Sequence, residues 1–254
     1  MKIALIGYGK MGRAIAQILE TDYATQHQVA CRITSRTQAD DLGVVAWDDL
    51  AAVGYPQLKG IDVAIEFSRP EMAFDNLSRC IKWGIPVVCG TTGWHAQLPA
   101  LHHLCEQQHG ALLYAANFSI GVNILFALNR QLAQLMQRFG ADYSIEIEET
   151  HHTEKLDAPS GTAIALARDI MALNPNKTAW ADAPAQHAHE IPITAQRLPD
   201  VKGEHTVTYR SAIDTISLYH LAHTRQGFAK GAIIAAEWLV GKQGVFTMDD
   251  VLGL

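Results

Sequence analysis

The 254-residue chain is 48% hydrophobic and 18% charged, which places it among ordinary globular proteins long enough for one large domain or two small ones. Its 26 acidic residues outnumber 20 basic ones and no basic run occurs, so nucleic acid is excluded as the main partner and any anionic ligand must be held by local donors. With no bilayer-length apolar run, no leader pattern and no CxxC pair among Cys31, Cys80, Cys89 and Cys105, the chain is expected to be cytoplasmic, with no membrane partner and with reduced, buried thiols.

Residues 2–6 (KIALI) predict a buried parallel strand that flows directly into Gly7, Tyr8, Gly9, Lys10, Met11 and Gly12 (GYGKMG). An amphipathic segment, 11–19, follows. GxGxxG says little in isolation, but between a strand and a helix it points to a dinucleotide. Gly7 permits the tight turn, Gly9 lets the backbone approach a pyrophosphate, and Gly12 lets the helix pack on the strand. A glycine turn kept only for packing is the plainer alternative. The second strand, 28–34, ends where such a fold places an acid for a ribose hydroxyl, yet the residues there are Thr34, Ser35, Arg36 and Thr37. Hydroxyls and a guanidinium suit a 2′-phosphate, so Ser35 and Arg36 join the cofactor residues and NADPH is expected ahead of NADH.

The next strand, 62–67 (DVAIEF), ends at Phe67 and Ser68, and Pro70 suits the first turn of a helix over 71–83. Another buried strand, 85–89, closes in Gly90, Thr91, Thr92 and Gly93, which taken alone could equally be a plain turn. A helix over 96–108 with Pro99 in its first turn leads to strand 111–114 and then Ala115, Ala116, Asn117 and Phe118. Strands and helices alternating at this spacing give an α/β fold, a Rossmann-type doubly wound parallel sheet with its ligand at the carboxyl ends of the strands. The four exits, 7–12, 67–69, 90–92 and 115–118, should line one crevice.

A long helix over 121–139, with Leu125, Leu128, Leu132, Leu135 and Phe139 at three- and four-residue steps, breaks the rhythm. A half-buried strand follows at 144–150, with Ile145 and Ile147 on one face and Glu146 and Glu148 on the other. After a polar loop come a helix over 163–172, a Pro-rich loop over 174–190, and strand candidates 191–198, 204–211 and 215–221. Their alternation predicts a second α+β domain with a mixed sheet, on which Tyr209 and Tyr219 are candidate interface residues, ordinary sheet packing being the more frequent explanation for such aromatics. The apolar helix 227–240 is expected to return to the first domain. The domains are therefore residues 1–118 with 223–254, for the dinucleotide, and 119–222, for substrate and oligomerisation.

The polar loop, EETHHTEKLDAPSGTA over 148–163, carries the chemistry. Ser160 and Thr162 are N-cap types, so the helix start at Ser160, Gly161 and Thr162 presents backbone N–H groups beside Lys155, His151 and His152, which is what a carboxylate requires. An N-cap behind a solvated charge run would explain Ser160 but not the density of donors. His151 and His152 are adjacent and point to opposite sides of an extended chain, and no third ligand lies nearby, so no metal is expected. Acid or electrostatic catalysis by His151 and Lys155 is.

Five features, GYGKMG, GTTG at Gly90, AANFSIGVN at Ala115, the polar loop, and HTRQGFAKGAIIAAEWL with GVFTMDDVLGL near the C-terminus, resemble the 4-hydroxy-tetrahydrodipicolinate (dihydrodipicolinate) reductase family nearly end to end. The resemblance implies reduction of a cyclic dicarboxylate lysine precursor with NAD(P)H by a homotetramer joined through the second domain's sheet. It makes His151 the proton donor, Lys155 a second catalytic residue, and His152, Gly161 and Thr162 substrate contacts. Two positions depart from the family pattern: Thr34 replaces the acid often found after the second strand, which favours NADPH, and Glu66 stands where Asp is more usual. The alternatives are another NAD(P)-dependent amino-acid dehydrogenase and a catalytically silent nucleotide-binding relative.

Overall fold

A computed structural model describes residues 1–34, 44–46 and 58–254; the expected cofactor residues Ser35 and Arg36 lie outside the described residues. In chain order the elements are β1 (Lys2–Ile6), α1 (Lys10–Thr21), β2 (Gln28–Thr34), β3 (Val44–Ala46), β4 (Val63–Glu66), α2 (Pro70–Lys82), β5 (Val87–Cys89), α3 (Leu98–Gln108) and β6 (Ala111–Tyr114). Then come α4 (Ile120–Met136), β7 (Ser144–His151), α5 (Gly161–Leu173), β8 (Ala179–Asp182), β9 (Glu190–Arg197), β10 (Glu204–Arg210) and β11 (Thr215–Leu221). The chain finishes with α6 (Gln226–Leu239), β12 (Gly244–Phe246) and α7 (Met248–Leu252). It divides into two compact units, Met1–Ile120 with Gln226–Leu254, and Gly121–Arg225. Among the described residues no helix is long and apolar enough to cross a membrane.

The first unit is built on a parallel sheet in the order β12-β6-β5-β4-β1-β2-β3. β1 and β4 are buried along nearly their whole length, as strands covered on both faces must be. On one face α1 contributes Ile15, Ile18 and Leu19, and α6 contributes Ile233 and Leu239. On the other, α2 and α3 contribute Leu77, Ile81 and Leu101, with all four cysteines in the same layer. α2 forms for legible reasons: Pro70 opens it, Glu71 sits in its first turn, and Arg79 and Lys82 complement the dipole in its last.

The second unit is a mixed sheet in the order β11-β10-β7-β9-β8, antiparallel on the β11 side of β7 and parallel on the other. Ile145, Ile147, Ile193, Val207 and Tyr209 pack against Leu166 and Ile170 of α5 and Leu125 of α4. Three expectations change here. Tyr209, a candidate interface residue, is core, whereas Tyr219 is 58% exposed on edge strand β11. The loop expected over 174–190 contains β8, which adds to the parallel side. The leucine row of α4 is only in part its buried face: Leu125 is buried and Leu132 packs on the core, but Leu128 and Leu135 are exposed, as is Phe139 beyond the helix end, while Val122, Asn129, Ala133 and Met136 are buried. Asn129 explains the choice, because its side-chain amide donates to the Leu166 carbonyl of α5 at 3.0 Å and fixes which side of α4 faces inward.

Candidate active site

At the carboxyl edge of the parallel sheet each strand exit is bonded sideways to its neighbour. Gly7 N–H donates to Ile33, Phe67 to Ile6, Gly90 to Glu66 and Ala115 to Cys89, at 2.7–3.1 Å. These bonds bring the four segments into one row. The glycines behave as their spacing predicts. Gly7 has a φ of +88°, and a Cβ there would overlap the Phe67 carbonyl; a Cβ on Gly12 would overlap the Gly7 carbonyl. At Gly9 nothing among the described residues lies within 4 Å of such a Cβ, so they leave open space above the start of α1. Gly9 is also the N-cap of α1, no side chain among the described residues caps the helix, and no acid sits in its first turn, so the N–H groups there suit an anion.

The remaining crevice residues differ in what they offer. Tyr8 lies against the guanidinium groups of Arg13 and Arg32, at 4.9 and 5.6 Å. Lys10 is exposed and Met11 packs partly on the core. The Phe67 ring fills the space beside Gly90, and the Thr91 Oγ1 is buried with no partner among the described residues, an orphan a bound ligand can satisfy. Thr92 is exposed, Ala115 and Ala116 continue the β6 exit, and Asn117 accepts the Ser119 N–H at 2.8 Å. Phe118 is core, and a Cβ at Gly231 of α6 would overlap its carbonyl, so the β6 exit is pinned from below.

In the second unit the inward alternation of β7 does not stop at Ile147. It continues through Glu149 and His151, which are 1% and 8% exposed. One Glu149 oxygen, Oε2, accepts from His151 Nδ1; the other, Oε1, accepts from Arg197 Nη2 at 3.0 Å and from the Ser160 N–H at 3.2 Å. Burial pushes the Glu149 carboxyl up, but the hydrogen bonds from His151 and Arg197 outweigh it and hold it below its usual range. Arg197 also donates to the carbonyls of Lys155 and Asp157, at 3.3 and 2.5 Å. β7 and β9 pair His151 with Arg197 in register, which is how a residue remote in sequence reaches the loop.

Lys155 Nζ rests on both oxygens of Asp157, at 2.8 and 2.7 Å, and that contact holds the Asp157 carboxyl below its usual range. Ser160 caps α5 by accepting the Ala163 N–H at 3.2 Å. Since its own N–H is given to Glu149, a ligand at this helix start meets the Gly161 and Thr162 N–H groups first. His152 Nε2 accepts from Arg225 at 2.7 Å, and burial followed by the Arg225 charge pushes that imidazole down. The two line a cavity of about 520 Å³ with Lys202 and His223.

Glu149, His151 and His205 of β10 bring potential ligand atoms within 4.8 Å of one another, so the fold supplies the third ligand missing from the local sequence. Glu149 already accepts on both oxygens, from His151 on one and from the Arg197 guanidinium and the Ser160 N–H on the other, and His205 is hydrogen-bonded to neither Glu149 nor His151 among the described residues. His205 is buried against the ring of His151, centroids 5.1 Å apart, with its Nε2 at 3.3 Å from Ser160 Oγ. Sequence reasoning did not single out Glu149, Arg197, Asp157 or Arg225. Only Glu149 carried a signal, its parity with Ile145 and Ile147.

Comparison with known proteins extends over the whole chain. Family descriptions reading "Dihydrodipicolinate reductase, N-terminus" and "Dihydrodipicolinate reductase, C-terminus" match residues 1–118 and 121–252. A 4-hydroxy-tetrahydrodipicolinate reductase of Christiangramia forsetii is 46% identical over 99% of this chain and 98% of its own length. One from Pseudoalteromonas atlantica is 37% identical over 100% and 99%. A solved dihydrodipicolinate reductase from Paenisporosarcina sp. TG-14, with dipicolinate bound, shares the fold at a TM-score of 0.74 and 23% identity, over 97% of each chain.

Proposed function

The chain belongs to the dihydrodipicolinate reductase family, and from that premise we propose how its own residues carry the family's reaction. It is an NAD(P)H-dependent oxidoreductase of lysine and diaminopimelate biosynthesis, reducing the cyclic dicarboxylate imine formed from 4-hydroxy-tetrahydrodipicolinate to tetrahydrodipicolinate. Residues 1–118 and 223–254 form the dinucleotide-binding domain; residues 119–222 bind the substrate and make the oligomer.

The open space at Gly9, the uncapped start of α1 and the orphaned Thr91 hydroxyl support a dinucleotide along the crevice. Gly7, Tyr8, Gly9, Lys10, Met11 and Gly12 hold its phosphates; Phe67, Ser68, Gly90, Thr91, Thr92, Ala115, Ala116, Asn117 and Phe118 line the rest, Phe118 through its backbone. Ser35 and Arg36 take a 2′-phosphate, so NADPH is preferred and NADH is the lesser donor. When bound, the cofactor supplies a hydride.

The rest falls to this chain. The Gly161 and Thr162 N–H groups at the start of α5 hold one substrate carboxylate, with Ser160 shaping the turn. Lys155, exchanging Asp157 for the substrate, and His152, backed by Arg225, pair with the dicarboxylate's negative charge. As the hydride adds to the conjugated imine, an electron pair moves to the far end of the conjugated system. His151 delivers a proton there, and the net change is one hydride and one proton added.

One observation supports the reading most directly: a histidine backed by a buried carboxylate stands at the end of β7, and the same carboxylate is bonded to the start of α5, where the Gly161 and Thr162 N–H groups lie. A homotetramer through the second sheet is part of the reading, supported by Ile216, Tyr219 and Leu221 exposed on β11. The test is oxidation of NADPH and of NADH with freshly made substrate. Both should be consumed, with the lower KM for NADPH. Absence of oxidation would end the reductase reading, and an equal or lower KM for NADH would end the preference.

A further inference from the structure

Three parts of the polar loop must keep register for the proposed reaction: the proton donor, the lysine, and the helix start that takes a carboxylate. They sit at residues 151, 155 and 160–162, with little regular structure between them. A single buried side chain is bonded to the first and the last and reaches the lysine's backbone through one intermediary, Arg197. We propose that Glu149 is a positioning residue, its carboxylate fixing His151 through Nδ1, the α5 start through the Ser160 N–H, and the Lys155 turn through Arg197. This rests on the reading of His151 as proton donor.

The chemistry follows from the donors. An ionised carboxylate is acceptor-only, so the proton it shares with His151 belongs on Nδ1, and Nε2 is left as the atom that faces the reaction. A neutral ring so held cannot adopt the tautomer with its hydrogen only on Nε2, and the doubly protonated ring has its counter-charge in place. Arg197 keeps the carboxylate ionised in a site where only 1% of Glu149 is exposed. The guanidinium also spends bonds on the Lys155 and Asp157 carbonyls, at 3.3 and 2.5 Å, so the backbone of that turn is tied to the same centre. The Glu149 carboxyl, held below its usual range despite burial, is in the form this role requires.

In the full-length enzyme Glu149→Gln should lower kcat by on the order of a hundredfold, while NADPH affinity changes by less than about twofold. The far-downfield proton of a carboxylate-bound His151 Nδ1–H, recorded without substrate and assigned by its loss in His151→Gln, should also vanish. Glu149→Asp keeps the charge one methylene short and should recover part of kcat. Wild-type kcat in Glu149→Gln would overturn the role, and so would absence of that resonance from the wild type, or a folded Glu149→Asp no faster than the amide. An inactive wild type would sink the reductase reading instead, and the resonance would still decide whether Glu149 holds His151.

Discussion

Two glutamates, one in each unit, are almost wholly buried near the carboxyl ends of β4 and β7, yet their neighbours make them different groups. Glu66 is surrounded by neutral donors: the Ser68 N–H at 3.1 Å, the Ser68 hydroxyl, the Asn76 amide at 3.2 Å and the Cys89 thiol at 3.2 Å. Glu149 is surrounded by a guanidinium, an imidazole and one N–H. The first arrangement braces the exits of β4 and β5, where the proposed cofactor lies. The second couples a charge to a group that can carry a proton. Burial alone therefore does not distinguish a brace from a working carboxylate; the titratability of its donors does.

The largest effect that would sharpen this contrast is expected on the working side. His151→Gln should lower turnover by roughly a hundred- to ten-thousandfold with cofactor binding intact, and normal turnover would remove the distinction at its source. On the bracing side Glu66→Gln puts an amide N–H among donors that need an acceptor. It should cost on the order of 1–3 kcal/mol of stability and leave kcat within about threefold; a loss of kcat matching His151→Gln would make the two carboxylates alike.

The smallest effect is on acid stability and belongs to the second unit. Burial, followed by the charge of His151, pushes the His205 imidazole from 6.5 down to about 3. Between those values the unfolded chain binds a proton that the folded chain does not, so stability is present above 6.5 and is lost as pH falls through the window. Glu149, held below 4.5, adds a further loss as pH falls below that value. The Tm should decline from pH 7 to pH 4, and His205→Asn should flatten that decline. An unchanged slope would show that the histidine is not its source.

Much of the parallel sheet was legible because its signals are local. Strand, turn and helix adjoin in GYGKMG, and the structure gives Gly7 and Gly12 the close contacts that exclude a side chain. The second unit was less legible where long-range fit chose between local options. Leucine spacing on α4 described an apolar stripe, but the covered side is turned toward Asn129, so Leu125 and Leu132 pack inward while Leu128 and Leu135 stay exposed. Tyr209 and Tyr219 sit on facing strands, but the register pairs Tyr209 with Ile216 and Tyr219 with Thr206, so they point to opposite faces of the sheet and only Tyr209 joins the core. Alternation along β7 gives Glu149 the parity of Ile145 and Ile147, but a carboxylate on that face needs partners that only the fold supplies. Arg197 had no local signal, since it arrives through the pairing of β9 with β7.

Cys31, Cys80, Cys89 and Cys105 all lie in the layer under α2 and α3, and residues 121–225 contain no cysteine. Burial pushes the Cys80 thiol up to about 12 and Cys105 to about 11, so neither reacts while that layer is closed. The molecule thus carries its own timer: uptake of a thiol-specific label records breathing of one slab of the nucleotide-side unit, and is silent about every event in the other.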